Sequence, residues 1–152
     1  MLFTAATGYA LRALAAMPED GSHCFSKDLA SRLDLPAPYL AKILQSLVQA
    51  TILESVRGPR GGFRVTRPTH RITVGDVVTA IEGPNSLDGC VMGFPVCSGD
   101  HPCPLHDAWS AVKSQVASSM TEATIRDLQL MDLRNLKVAK QKPPRTGFAS
   151  PA

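Results

Sequence analysis

A glycine-rich turn that carries two arginines lies near the middle of the chain and reads Ser55-Val56-Arg57-Gly58-Pro59-Arg60-Gly61-Gly62-Phe63. The flanking segments, residues 52–56 and 62–66, have the composition of short β-strands. Because glycine lets the backbone reverse tightly, the pattern predicts a β-hairpin. Arginines at the tip of such a hairpin can reach DNA phosphates or a narrow minor groove. We therefore interpret it as the wing of a winged-helix domain; a surface hairpin with solubilising charges is the alternative.

Two short helices are predicted immediately before this hairpin. The first is expected to be capped by Ser26, with Asp28 in its opening turn, where the helix dipole favours an acid. The second opens at residues 36–38, which read Pro-Ala-Pro, and its apolar stripe consists of Leu40, Ile43, Leu44 and Leu47. Two helices separated by about four residues form a helix-turn-helix, whose second helix enters a DNA major groove. An earlier helix is predicted over residues 4–17.

The expected DNA contacts come from these elements. The start of the second helix and the tip of the hairpin should approach base edges and phosphates. The candidate residues are Lys27, Pro38, Tyr39, Lys42, Arg57 and Arg60. The charge distribution agrees, because residues 1–71 carry nine Lys and Arg against five Asp and Glu, whereas residues 72–136 carry three against eight. Only the first part of the chain is therefore expected to meet a polyanion.

The second half of the chain is predicted to contain further helices. Thr73 and Asp76 have the spacing of a capping box, and Thr124 and Asp127 repeat it before a short helix. Between them, apolar residues recur every three or four positions in a long amphipathic helix: Leu105, Trp109, Val112, Val116 and Met120. This stripe is too long for the small preceding helices to cover. We expect a partner subunit to cover it, which predicts a homodimer that binds a palindromic DNA operator.

Three of the four cysteines lie within fourteen residues, in the pattern Cys90-x6-Cys97-x5-Cys103, and His106 follows three positions later. Thiolates are soft ligands that suit zinc, cuprous ion or an iron–sulfur cluster. Three thiolates with one imidazole also make a tetrahedral zinc set, although the spacing here is longer than in the cysteine pairs of ordinary zinc knuckles. A metal-free thiol redox switch is a further alternative. Cys24 stands apart and is expected to be a small buried apolar residue.

Length and composition restrict the class of protein. A chain of 152 residues, 44% hydrophobic and 19% charged, suits one ordinary domain, or a small domain with an appendage, and excludes global disorder. Its apolar runs are too short for a membrane span, and its N-terminus lacks the basic region of a secretory signal. We therefore expect a cytoplasmic protein without a membrane partner, whose clustered thiols bind metal or sense redox state. The sequence contains neither a nucleophile elbow nor a phosphate-binding glycine loop, so we do not expect an enzyme.

From about Phe3 to Asp132 the chain resembles the Rrf family of winged-helix bacterial regulators, which includes IscR, NsrR and RirA. The resemblance rests on four segments, namely Pro38 to Leu44, Ser55 to Phe63, Ile72 to Val78 with Glu82-Gly83, and the cysteine loop that leads into Cys103-Pro104-Leu105-His106-Asp107-Ala108-Trp109. It implies a homodimeric transcription factor, which we expect to be a repressor. Members with three loop cysteines hold a 2Fe–2S or 4Fe–4S cluster whose state sets DNA affinity in response to nitric oxide, oxygen, redox stress or iron supply.

The resemblance also bears on the fourth cluster ligand. In some members it is a histidine placed like His106; in others it is an acidic side chain from the first helix of the partner subunit. Here that region reads Thr7-Gly8-Tyr9, without a carboxylate, so we expect His106. Asp100 and His101 compete from the same loop. We expect a 2Fe–2S cluster, with 4Fe–4S as the other possibility and zinc as the alternative to both.

These expectations combine into one fold prediction. The chain should be mainly α-helical with a small β-hairpin wing, as a winged helix-turn-helix domain followed by a long dimerisation helix. The DNA-binding domain is assigned to residues 1–83 and the cluster-binding loop to residues 84–104. Residues 105–134 should form the dimerisation helix and a short terminal helix. Residues 135–152, whose charged groups are all basic, are expected to be a disordered tail.

Overall fold

The structure is a computed structural model that describes residues 2–131. Its elements, in chain order, are α1 (Ala5–Ala15), α2 (Ser26–Leu33), α3 (Ala37–Gln49), β1 (Leu53–Val56), β2 (Gly62–Val65), a 3₁₀ turn (Thr69–Arg71), α4 (Val74–Glu82), α5 (His106–Glu122) and α6 (Ile125–Leu130). The prediction of a mainly helical fold with one antiparallel hairpin is confirmed. The predicted tail, residues 135–152, lies outside the described residues.

Helices α2 and α3 form the predicted helix-turn-helix. Asp34 ends α2 in the left-handed conformation, with φ of 54°, and the Leu35 N–H then donates to the Ala30 carbonyl at 2.9 Å. In α3, the four residues of the predicted stripe are all buried. The predicted cap at Ser26 is wrong: Phe25 occupies the N-cap position and no side chain caps α2. The reason is that Cys24 pairs with a strand, so the extended backbone ends at Phe25 and Ser26 is already helical.

The hairpin is joined to the helix pair through its second strand. Strand β1 pairs with β2 in a register that runs from Leu53 opposite Val65 to Val56 opposite Gly62. On the other side of β2, the backbone of Cys24 and that of Phe63 exchange two hydrogen bonds, each 2.8 Å long. The segment before α2 therefore acts as a short third strand, which fixes the hairpin relative to the helix-turn-helix.

The hydrophobic core lies between α1, α2, α3, α4 and α6. Its fully buried members include Leu14, Leu29, Leu44, Leu47, Ile52, Ile72, Val77 and Ile125. Helix α6 returns to this core after α5, because the Ile125 N–H donates to the Ile72 carbonyl at 2.8 Å and the Val74 N–H donates to that of Ala123 at 2.8 Å. The core formed by α1 to α4 is thus completed by Ile125, which follows the long helix α5.

Both predicted capping boxes are confirmed. Thr73 and Asp76 exchange reciprocal side-chain and backbone bonds at the start of α4, and Thr124 and Asp127 do so at the start of α6. Each box satisfies backbone N–H groups that have no partner within their own helix. These contacts fix where α4 and α6 begin.

Thr124→Ala is expected to lower the free energy of unfolding by about 1 kcal/mol, because the side chain that caps α6 is lost. Urea unfolding monitored by circular dichroism would measure the change. Thr121→Ala is the control, since its exposed hydroxyl only donates to the Ser118 carbonyl within α5. Equal losses in the two variants would contradict a capping role for Thr124.

Within residues 2–131, none of the helices combines the length and apolar character that crossing a bilayer demands.

Candidate metal centre and nucleic-acid interface

The loop between α4 and α5 brings the four predicted ligands together. The Sγ atoms of Cys90, Cys97 and Cys103 all lie within 4.8 Å of one another. Cys90 Sγ is 3.6 Å from Cys103 Sγ, and Cys97 Sγ is 3.2 Å from Nδ1 of His106. All four side chains are half-buried. The site therefore consists of two close pairs of soft or borderline donors.

The loop is held to α5 by hydrogen bonds at both of its ends. The indole N–H of Trp109, in the first turn of α5, donates to the Gly89 carbonyl at 2.8 Å, directly before Cys90. The His106 N–H donates to the Cys103 carbonyl at 3.0 Å. Between these anchors, Gly93 adopts a φ of 75° and its N–H closes a turn onto the Cys90 carbonyl at 2.9 Å. The thiols thus sit against the start of α5.

The environment shifts the pKa values of Cys90 and Cys103 in opposite directions. Burial raises the pKa of Cys90, but hydrogen bonds from the backbone of Phe94 and Met92 and from the Cys103 and Cys97 thiols outweigh it and lower the pKa to about 7. The pKa of Cys103 is raised, first by burial and then by the neighbouring thiols. A thiolate is the form that binds metal. Near neutral pH, Cys90 is therefore already substantially in the ligand form.

The donor set fits a tetrahedral metal. At metal–sulfur distances of roughly 2.3 Å, two thiolates on one tetrahedral ion are about 3.8 Å apart. The Cys90–Cys103 separation of 3.6 Å is close to this value, and the Cys97–His106 pair is similarly close. The three cysteines therefore lie close enough together to bind a metal ion or a cluster.

Cys24 takes no part in this group of thiols. It is half-buried, and its backbone pairs with Phe63 in the wing. Burial is the main reason that the pKa of Cys24 is raised above its ordinary value. These properties agree with the predicted role as a small packed side chain.

The six predicted DNA contacts share one property, which is that all are exposed. Arg57 and Arg60 lie at the hairpin tip, where the Gly61 N–H donates to the Gly58 carbonyl at 3.0 Å and closes the turn. Among residues 2–131, the salt bridges are Arg64–Glu54, Arg67–Asp76 and Arg126–Glu19. The two tip arginines therefore have no carboxylate partner in this part of the chain. Pro38, Tyr39 and Lys42 lie in the first turns of α3.

The sequence did not reveal the contacts that Glu82 makes at the end of α4. Its Oε1 accepts hydrogen bonds from the Thr4 N–H at 2.8 Å and from the hydroxyls of Thr4 and Thr7 at 2.6 Å each. Burial raises the pKa of Glu82, but these hydrogen bonds outweigh it and hold the pKa below the usual glutamate range. An acid at a helix C-terminus, where the dipole disfavours it, was the available signal. Glu82 thus ties the base of the cysteine loop to α1.

The contact between Tyr9 and Tyr39 was also not predicted from the sequence. The Tyr9 ring meets that of Tyr39 edge to face, with centroids 5.8 Å apart and an interplanar angle of 86°. Nothing in the local pattern links residues thirty positions apart, so only the packing of α1 against α3 reveals this contact.

The apolar side of α5 is not fully covered by the rest of residues 2–131. None of the 17 residues of α5 is buried, and Leu105 and Val112 remain 48% and 47% exposed. Trp109, Val116 and Met120 are half-buried. An open apolar cleft of about 430 Å³ lies beside Val112, Val116 and Met120. The stripe predicted from the sequence is therefore a surface feature.

A helix-turn-helix followed by an arginine-tipped hairpin defines a winged-helix DNA-binding protein, here with a group of three cysteines in the loop between α4 and α5. The chain belongs to the Rrf2 family: the family's sequence profile, described as an iron-dependent transcriptional regulator, matches residues 3–130. The protein is accordingly a DNA-binding transcriptional regulator and not an enzyme, and the predicted family is confirmed.

Relatives and solved structures agree with this assignment. A protein of Aquifex aeolicus named as an HTH-type transcriptional regulator is 30% identical over 139 residues, which are 90% of this chain and 96% of the relative. The HTH-type transcriptional regulator IscR of Vibrio campbellii is 29% identical over 101 residues, 66% of this chain and 60% of the relative. CymR, the global cysteine regulator of B. subtilis, has the same fold, with a TM-score of 0.69, 23% identity, and coverage of 84% of this chain and 95% of CymR. For IscR of T. potens the TM-score is 0.62, with 24% identity and coverage of 92% and 91%.

Proposed function

We propose that this protein is a homodimeric repressor whose affinity for a palindromic operator is set by an iron–sulfur cluster. Cys90, Cys97, Cys103 and His106 are its ligands, and the cluster supplies a centre that reacts with nitric oxide or oxygen, or is lost when iron is scarce. Such a regulator acts on the chromosome, in the cytoplasm. The family profile, described as iron-dependent, supports iron as the metal.

The observation that carries the proposal is the arrangement of the donors in two pairs. The Cys90–Cys103 pair and the Cys97–His106 pair each have the spacing of two ligands on one tetrahedral ion. A 2Fe–2S cluster would take four protein donors, so it would use all four side chains. A 4Fe–4S cluster also takes four protein donors, and the two types are separated by the iron count.

A structural zinc ion, or a thiol switch without metal, is the second candidate. It is favoured by the compactness of the group, because all three Sγ atoms lie within 4.8 Å of one another and the Cys90–Cys103 distance of 3.6 Å suits two thiolates on a single ion. A structural zinc ion would stabilise the loop without responding to nitric oxide or iron supply, whereas a metal-free thiol switch would respond to oxidation.

The exposed apolar side of α5 supports the homodimer. Leu105, Trp109, Val112, Val116 and Met120 form a stripe along one helix, and a second copy of α5 that crosses it would bury both stripes. Twofold symmetry places two recognition helices at two half-sites of a palindrome.

The link between centre and DNA runs through the start of α5. Trp109 and His106 join the loop to the first turn of that helix, so release of the ligands would free the helix end and change the relative pose of the two DNA-binding units. A hundredfold change in affinity requires a difference of only about 2.7 kcal/mol between the two states.

The test is anaerobic isolation of the full chain followed by iron, sulfide and zinc analysis. We expect brown protein with iron and acid-labile sulfide, and a DNA affinity that changes when the centre is removed by chelation. The DNA probe is the duplex that the wild-type protein selects from a randomised library. Stoichiometric zinc without sulfide would favour the second candidate. Protein with neither metal nor sulfide, and with unaltered DNA affinity after thiol oxidation, would contradict both.

The wing arginines give a separate prediction about DNA binding. Arg57→Ala or Arg60→Ala should weaken binding to the selected duplex by roughly 1–3 kcal/mol if the side chain reads a base, or lower the salt dependence if it contacts a phosphate. Fluorescence anisotropy at several salt concentrations distinguishes the two.

Arg126→Ala is the matched control, because it removes the same charge from a side chain of α6 that pairs with Glu19 and belongs to neither the hairpin nor α3. Unchanged affinity and unchanged salt slope in both wing variants would remove the wing from the interface.

A further inference from the structure

Helix α3, the second helix of the helix-turn-helix, is the recognition helix. It carries an aromatic side chain, Tyr39, whose ring contacts a side chain of another helix. Tyr39 is the third residue of α3 and is 41% exposed. Its backbone is fixed, since Pro36 and Pro38 restrict φ and the Tyr39 N–H donates to the Pro36 carbonyl at 3.1 Å. Its ring, in contrast, projects into solvent and can turn about two side-chain torsions. The ring needs a neighbour if it is to keep one orientation before DNA arrives.

Tyr9 of α1 is that neighbour. The two rings meet edge to face at 5.8 Å, which is a favourable geometry for an aromatic pair. Tyr9 is itself half-buried and packed against the hydrophobic core. The Tyr39 ring is therefore supported by a side chain that packs against the hydrophobic core.

Arg12 holds the Tyr9 ring from one turn further along α1. Its guanidinium carbon lies 4.6 Å from the centroid of the Tyr9 ring, within the range of a cation–π contact. Its Nε donates to the Gly8 carbonyl at 3.1 Å, which keeps the guanidinium close to the helix. The Tyr9 ring is thus fixed between a cation on its own helix and the ring of Tyr39.

We propose that Tyr9 is a positioning residue for DNA recognition, which presets the Tyr39 ring in the orientation that contacts the operator. A side chain that is already ordered loses less entropy on binding, so the support increases specific affinity without any contact between Tyr9 and DNA. Binding to arbitrary DNA depends on phosphate contacts and does not use this support. The inference rests on the proposed contact of Tyr39 with DNA.

The experiment compares Tyr9→Leu, Tyr9→Phe, Tyr39→Leu and the double variant Tyr9→Leu/Tyr39→Leu on two duplexes. One is the duplex selected by the wild-type protein, and the other is a scrambled duplex of equal length. We expect Tyr9→Leu to bind the selected duplex about three- to tenfold more weakly and the scrambled duplex unchanged. Tyr9→Phe keeps the ring and should bind like the wild type. In the Tyr39→Leu background, Tyr9→Leu should have no further effect.

The outcomes separate this inference from the proposed contact. If Tyr39→Leu weakens specific binding but Tyr9→Leu does not, or if Tyr9→Leu costs the same factor with and without Tyr39, the positioning role is overturned. If Tyr39→Leu leaves specific binding intact, the proposed contact of Tyr39 fails first. Should Tyr9→Leu lose its helical circular dichroism, Tyr9→Met fills the space with a ringless side chain and gives the same comparison.

Discussion

Serine in place of Cys90, Cys97 or Cys103 is expected to abolish the brown colour and the labile sulfide of anaerobically isolated protein. A serine hydroxyl is nearly the size of a thiol, but it is not a soft ligand and does not ionise near neutral pH. Each variant should also lose the response of DNA binding to chelation. The ratio of affinities measured before and after treatment should fall to about one in each variant, whichever state of the wild type binds more tightly.

Cys24→Ser is the matched control, because Cys24 lies outside the group of three thiols and its backbone, not its Sγ, joins the wing. It should keep the colour, the sulfide and the chelation response. Colour retained in any of the three loop variants would exclude that cysteine from the ligand set. His106→Ala extends the series, and full iron content in that variant would assign the fourth ligand elsewhere.

Gly62→Ala is expected to detach the wing from the helix-turn-helix. Gly62 has a φ of 122°, a conformation that side chains rarely adopt, and an added Cβ would lie 2.5 Å from the Cys24 carbonyl oxygen. The obstacle is backbone, so it can yield only if the Cys24–Phe63 hydrogen bonds break. Strain and lost hydrogen bonds together should lower the free energy of unfolding by about 2–4 kcal/mol.

Two measurements check the effect of Gly62→Ala. Hydrogen exchange should show lost protection of the Cys24 and Phe63 amides. Fluorescence anisotropy should show at least about tenfold weaker binding to the selected duplex, because the wing arginines are no longer held in a fixed position relative to the helix-turn-helix. Gly58→Ala is the control for strain alone, because Gly58 also has a positive φ, 114°, but open space around its Cβ position. Its loss of stability should be smaller, and equal losses would show that the approach to Cys24 is unimportant.

The group of three thiols could be predicted because its members are close along the chain. Cys90 and His106 lie within a segment of 17 residues, so one short loop is enough to bring the thiols near one another. The hairpin, the apolar stripe of α3 and both capping boxes are likewise local patterns, and the structure contains all of them. The assignment of His106 and the division of the chain at residue 83 remain predictions.

Contacts between distant parts of the chain could not be predicted from local sequence patterns. The Ser26 cap was predicted wrongly because the pairing of Cys24 with Phe63, which sets where α2 begins, joins residues nearly forty positions apart. Glu82 meets Thr4 and Thr7 across more than seventy positions. Such contacts depend on how helices pack, and helix packing is not encoded in any local spacing.

By itself, the sequence determined the helices, the wing and the group of thiols, since turn-forming residues, helical periodicity and close ligand spacing act over a few residues. Only the tertiary structure decided how these parts are joined: the wing to Cys24, the loop base to α1 through Glu82, the recognition helix to Tyr9, and α6 to the core through Ile125. The physical reason is that each of these contacts requires two segments, distant along the chain, to meet when the core excludes water.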